Sequence, residues 1–107
     1  MLSASVNSPD GDSAETARSQ EQWLAGLAEF HREQGNYRDA ETLFKQALAI
    51  AEDAFGSDAL EVSVILNNFA VLYKFMARFS KARQFYIRSL AITEKRQGRD
   101  GQRRFWG

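Results

Sequence analysis

Leu66-Asn67-Asn68-Phe69-Ala70-Val71-Leu72-Tyr73 is the stretch that decides the fold. Leu66, Phe69, Ala70 and Tyr73 recur at intervals of three and four residues, so a helix carries them on one face, with the small Ala70 where a second helix can come close. The same spacing occurs 42 residues earlier as Leu24-x-x-Leu27-Ala28-x-x-His31. Sliding the chain on itself by that distance also superposes Ala40 on Ala82, Leu48 on Leu90, Ala49 on Ala91, Ile50 on Ile92, Glu52 on Glu94, Gly56 on Gly98 and Asp58 on Asp100. Apolar character is kept where identity is not: Leu27 meets Phe69, Tyr37 meets Phe79 and Phe44 meets Tyr86. Two units built from one template are the economical reading.

Each unit contains two helical stretches. In the first, apolar spacing begins near Gln22, breaks at Gly35-Asn36, and resumes from Tyr37 through Ala40, Leu43, Phe44, Ala47, Leu48 and Ala51. It ends at Gly56, a residue type suited to the left-handed position after a helix. In the second, Ser57 or Asp58 is expected to cap a helix carrying Val62, Ile65, Leu66, Phe69, Ala70 and Tyr73. A last helix runs from about Phe79 through Ala82, Phe85, Tyr86, Ser89, Leu90 and Thr93 to Gly98. Residues 1–20 contain the only proline, Pro9, and are rich in Ser, Ala, Asp and Glu without apolar periodicity, so they read as a disordered tail. The folded domain is then 21–98, with repeat 1 at about 22–56 and repeat 2 at about 60–98, followed by a basic tail at 99–107. Four helices with short connections make the chain all-α.

Composition narrows the chemistry. The chain of 107 residues has no cysteine and one histidine, His31, which removes disulfides, thiol nucleophiles and His- or Cys-based metal clusters. No nucleophile with a base, no phosphate-cradling glycine loop and no metal-ligand spacing can be assembled, so no catalysis, metal or cofactor is expected. His31 falls on the apolar stripe, where a packed histidine is the plain reading. No apolar run approaches the roughly 20 residues of a membrane span, and the N-terminal stretch lacks signal-peptide character, so a cytoplasmic protein is expected. The 14 Lys and Arg balance the 14 Asp and Glu, yet the balance is a cancellation. Residues 1–60 carry 11 acids and 4 bases, and residues 61–107 carry 3 acids and 10 bases.

The two units resemble the tetratricopeptide repeat (TPR), in which an aromatic or apolar residue, Leu, a small residue and Tyr punctuate the first helix while Ala and Phe stand four apart in the second. Here those positions are Leu24, Leu27, Ala28 and His31 with Ala40 and Phe44, and Leu66, Phe69, Ala70 and Tyr73 with Ala82 and Tyr86. The 42-residue period and the endings Ala47-Leu48-Ala49-Ile50-Ala51-Glu52 and Ser89-Leu90-Ala91-Ile92-Thr93-Glu94 are similar to the long repeats of kinesin light chains. Ala59-Leu60 replaces the family's His-Pro, Ala77 replaces Gly35 of the first unit, and Ser89 replaces Ala47. The resemblance implies two antiparallel helix-turn-helix hairpins stacked as a short right-handed superhelix, an α-solenoid.

It also implies a non-catalytic scaffold that binds a peptide segment of a protein partner in a concave groove. The matching groove positions are Ala25, Glu29 and Arg32, with Gln22 and Glu33, on the first helix, and Asn67, Asn68, Val71, Lys74 and Phe75, with Val64, on the third. An asparagine offers donors and acceptors on a short stem and can pair with a peptide backbone, although Asn68 could equally bond a neighbouring helix. Glu29 and Glu33 facing Lys74 disfavour an acidic ligand and favour a mixed or basic peptide with an apolar anchor on Val71 and Phe75.

Two other readings stay open. Repeat arrays generally need about three units and a polar cap, and the chain reaches Gly107 where a third unit would begin, so it is either part of a longer array or a self-associating module. Phe85, Ile87 and Leu90 are candidates for an uncovered outer face of the last helix, which another copy, or Phe105-Trp106 folding back, could cover. Residues 95–104 hold Lys95, Arg96, Arg99, Arg103 and Arg104 against Asp100, followed by Phe105 and Trp106, a pattern able to hold nucleic acid or an anionic surface. A solvated tail is the plain alternative, and nucleic acid is the less expected partner.

Overall fold

The structure, a computed structural model, describes residues 9–106, with side chains described for 13–97. It consists of four helices, α1 (Pro9–Glu33), α2 (Tyr37–Phe55), α3 (Leu60–Phe75) and α4 (Phe79–Trp106), and no strand occurs among the described residues. α1 packs along α2 and α4 along α3, forming two hairpins, and α3 packs in turn on the first hairpin. The small residues Ala28, Ala40, Ala47, Ala51 and Ala70 are buried, which lets backbones approach closely. Around them Phe44, Val62, Ile65, Leu66, Phe69, Leu72 and Tyr73 form one core shared by both hairpins. Its centre is aromatic. Phe69 stacks on Phe44 at 5.4 Å and on Tyr73 at 4.8 Å between ring centroids, and Phe85 meets Phe69 edge-on at 4.9 Å.

The 42-residue shift holds atom by atom at the turns inside the hairpins. Asn36 N–H donates to the His31 carbonyl and Arg78 N–H to the Tyr73 carbonyl, both at 2.8 Å. Gly35 N–H donates to Arg32 and Ala77 N–H to Lys74, both at 3.0 Å. This is the six-to-one closure that ends a helix through one left-handed residue. Gly35 adopts it at φ 83°, and Ala77 adopts it at φ 59° despite its Cβ. A left-handed alanine carries conformational strain that glycine does not, so Ala77→Gly is expected to stabilise the fold by about 1 kcal/mol. Urea denaturation would read this as a raised midpoint with an unchanged slope. A lowered midpoint would show that the strain is offset elsewhere.

Three boundaries differ from expectation. α1 begins at Pro9, so residues 9–20 are helical instead of a disordered tail. Proline suits a first helical position because its missing N–H has no partner there in any case. Ala14, Ala17 and Arg18 are half-buried, and Arg18 reaches Glu61 of α3 at 3.0 Å while lying 4.9 Å over the Phe55 ring. At the other end α4 continues through Gly98 to Trp106, so residues 99–106 extend the helix, and a Phe105-Trp106 fold-back does not occur in the backbone. The third difference is the start of α3. Its N-cap is Ala59, with neither Ser57 nor Asp58 capping it. Asp58 instead accepts from Lys95 at 2.6 Å while its carbonyl accepts from Arg96 at 2.8 Å, and Ala59 is buried. Those contacts hold the α2–α3 loop that Gly56 opens at φ 94°.

Candidate functional site

α1 and α3, the first helices of the two hairpins, carry every groove residue expected from the sequence. The hairpins meet there through Arg32, whose guanidinium pairs with Glu29 at 2.7 Å and lies 5.1 Å over the ring of Phe75 on α3. Tyr37 stacks on the same ring at 6.4 Å, yet Phe75 keeps about half its surface in solvent. Lys74 and Glu33 are exposed, and Asn68 and Val71 are half-buried. Asn67 and Asn68 are both half-buried. Glu29 is paired with Arg32.

Asn67 and Ala25 sit differently. Asn67 lines an open groove of about 760 Å³ between α3 and α4, together with Ser63, Val64, Tyr86, Ile87 and Leu90. Ala25 lines a cleft of about 210 Å³ between α1 and α3, beside Glu21 and Ile65. Desolvation, helped by the neighbouring Glu61 charge and opposed by Arg18, raises the Glu21 carboxyl above its ordinary value. Burial works against the charge of Glu61, but its own backbone N–H and the Arg18 guanidinium outweigh it and hold that carboxyl below the usual value.

The floor of the larger groove is a hydroxyl cluster. Ser89 donates to the Ser63 carbonyl at 2.8 Å, and the Ser63 hydroxyl lies 3.0 Å from that of Ser89 and 2.9 Å from that of Thr93. The departure from Ala47 to Ser89 is thereby satisfied, since each buried hydroxyl has a partner. Phe85 points into the core and Tyr86 out of it, the reverse of the expected roles. Tyr86 belongs to the exposed face with Ile87 and Leu90.

A family model described as "Tetratricopeptide repeat" matches residues 15–95. The chain belongs to the tetratricopeptide-repeat family. No curated protein matches it. TPR helices of this kind generally mediate protein–protein contact, and the fold is typically a scaffold. The matched span of this TPR chain starts before residue 20, in agreement with α1 running back past Gln22.

The remaining sequence candidates fall into place around the TPR core. His31 is half-buried, edge-on to Phe30 at 5.6 Å, with its Nδ1 3.3 Å from the Asn36 amide. Its counterpart Tyr73 donates to Glu41 at 2.8 Å. Burial and that carboxylate raise the phenol well above its ordinary value, which keeps it protonated as a donor. No group of His, Cys, Asp and Glu able to hold a metal occurs among the described residues. No helix among them is long and apolar enough to cross a membrane. Of the basic run, Lys95 and Arg96 are engaged by Asp58, and the side chains of Arg99, Arg103, Arg104, Phe105 and Trp106 lie outside the described residues. The Lys95 ammonium, by hydrogen bond and by charge, holds the Asp58 carboxyl below its usual value.

Proposed function

We propose that the chain is a non-catalytic scaffold that docks a peptide segment of a protein partner along the inner face of α1 and α3, its long repeat being of the kinesin-light-chain-like kind and its setting cytoplasmic. The observation that carries this reading is Arg32 of α1 lying over Phe75 of α3, which makes one continuous mixed surface out of two hairpins. Phe75 and Val71 give an apolar anchor, Asn68 offers an amide to a peptide backbone, and the exposed Lys74 and Glu33 supply opposite charges. With Glu29 already paired, the surface suits a peptide of mixed charge with one large apolar residue, and Ala25 and Asn67 mark its edge toward the clefts between helices.

Selection of binders from a random peptide library tests this. Peptides of mixed or basic charge with an apolar anchor are expected, and Asn68→Ala with Lys74→Ala should weaken them about tenfold or more, the scale of losing two hydrogen-bonding contacts. Uniformly acidic ligands, or binding unchanged in the double variant, would contradict it.

A further inference from the structure

Subtracting one hairpin from the other shows which surfaces the repeat leaves open. Ile65 and Leu72 of α3 are 1% and 0% exposed because they press on the first hairpin, whereas their counterparts on α1, Trp23 and Phe30, are 69% and 53% exposed. On the second helices the contrast is reversed in place. Phe44 is fully buried beneath Phe69, whereas its counterpart Tyr86 is 56% exposed, and Leu90 is 57% exposed where Leu48 is half-buried. Trp23 and Phe30 therefore form a knob of the kind α3 presents, and the α3–α4 groove is a socket of the kind α3 fills.

Three features make the two ends fit one another. The socket rim is apolar where its covered counterpart is polar, with Val64 in the place of Gln22 and Ile87 in the place of Lys45. Large apolar side chains exposed together on both faces mark contact surfaces. The charges also complement each other, the half that carries the knob being acidic by seven and the half that carries the socket basic by seven. Finally, Arg83 lines the socket where Glu41 receives the Tyr73 hydroxyl, and His31 replaces Tyr73 on the knob side. The socket thus carries a cation at the place where the covered groove carries an anion, in keeping with the opposite charges of the two halves.

We infer that the socket between α3 and α4 receives α1 of a second copy of this chain, in the way α3 sits on the first hairpin, so that copies stack head to tail. Leu27 of the incoming helix meets Tyr86 as Phe69 meets Phe44. The contact uses two different patches, so it propagates beyond a dimer unless it closes into a ring. It leaves the inner face of α1 and α3 free apart from Asn67, which lines the socket, and does not depend on what that face binds.

The test uses the full chain and two double variants at exposed positions, Trp23→Ser with Phe30→Ser at the knob and Tyr86→Ser with Leu90→Ser at the socket. Circular dichroism verifies that both remain helical. In sedimentation equilibrium the unaltered chain is expected to gain mass with concentration past the dimer, and to do so less in 0.5 M salt, where a Debye length of about 4 Å screens the charged halves. Each variant alone should be monomeric, and a one-to-one mixture should form a heterodimer and nothing larger. A concentration-independent monomer for the unaltered chain would overturn the inference. So would a mixture that stays monomeric, or a knob variant that still dimerises through paired α4 faces.

Discussion

Replacement of Phe69 by alanine is expected to cost about 3–5 kcal/mol, the range for deleting a fully buried aromatic side chain. Phe69 contacts rings from three helices: Phe44 on α2, Tyr73 on its own α3 and Phe85 on α4. Its removal opens a cavity in the core that both hairpins share, and neighbours held on three sides cannot collapse into it. A domain of this size has roughly 5–15 kcal/mol of total stability, so about a fifth or more would be lost. Urea denaturation followed by circular dichroism gives the number. A cost below about 1.5 kcal/mol, no more than a well-tolerated core swap, would mean that the aromatic cluster is not the link between the hairpins.

The second large effect is a contrast between equivalent positions. Phe44 and Tyr86 stand 42 residues apart at the same place in the repeat, and they differ in that α3 covers the first. Phe44→Ala should cost about 3–5 kcal/mol, and Tyr86→Ala less than about 1 kcal/mol, as for an exposed side chain. Measured at low protein concentration, where copies do not meet, the pair separates burial from residue type. Equal costs would show that the face of Tyr86 is covered within the chain after all.

The spacing of Leu66, Phe69, Ala70 and Tyr73, duplicated from Leu24 to His31, is enough to read four helices, two hairpins and the turn at Gly35, whereas Ala77 reads as a departure and takes the same left-handed turn in the structure. The start of α1 was not legible for a physical reason. The inward side of residues 13–20 is built from Ala14, Ala17 and the stem of Arg18, which bury little surface each and do not register as apolar periodicity. Gly98 misled in the opposite sense, because glycine permits a left-handed turn without imposing one, and at Gly56 the loop is fixed by Asp58, Lys95 and Ala59. The inner-face candidates on α1 and α3 are those that the family resemblance implies. What register could not reveal is pairing: that Arg32 uses up Glu29 and covers Phe75, and that Asn67 turns toward the α3–α4 groove. Phe85 and Tyr86 are adjacent aromatics, and only packing decides which one faces Phe69.

The central claim is that the inner face of α1 and α3 is where a partner docks. Amide chemical-shift mapping of the isotopically labelled chain with its tightest selected peptide tests it most directly. Perturbations are predicted along Glu29, Arg32, Asn68, Val71, Lys74 and Phe75. Perturbations confined to α2, or to the basic residues from Lys95 onward, with those six unmoved, would contradict it.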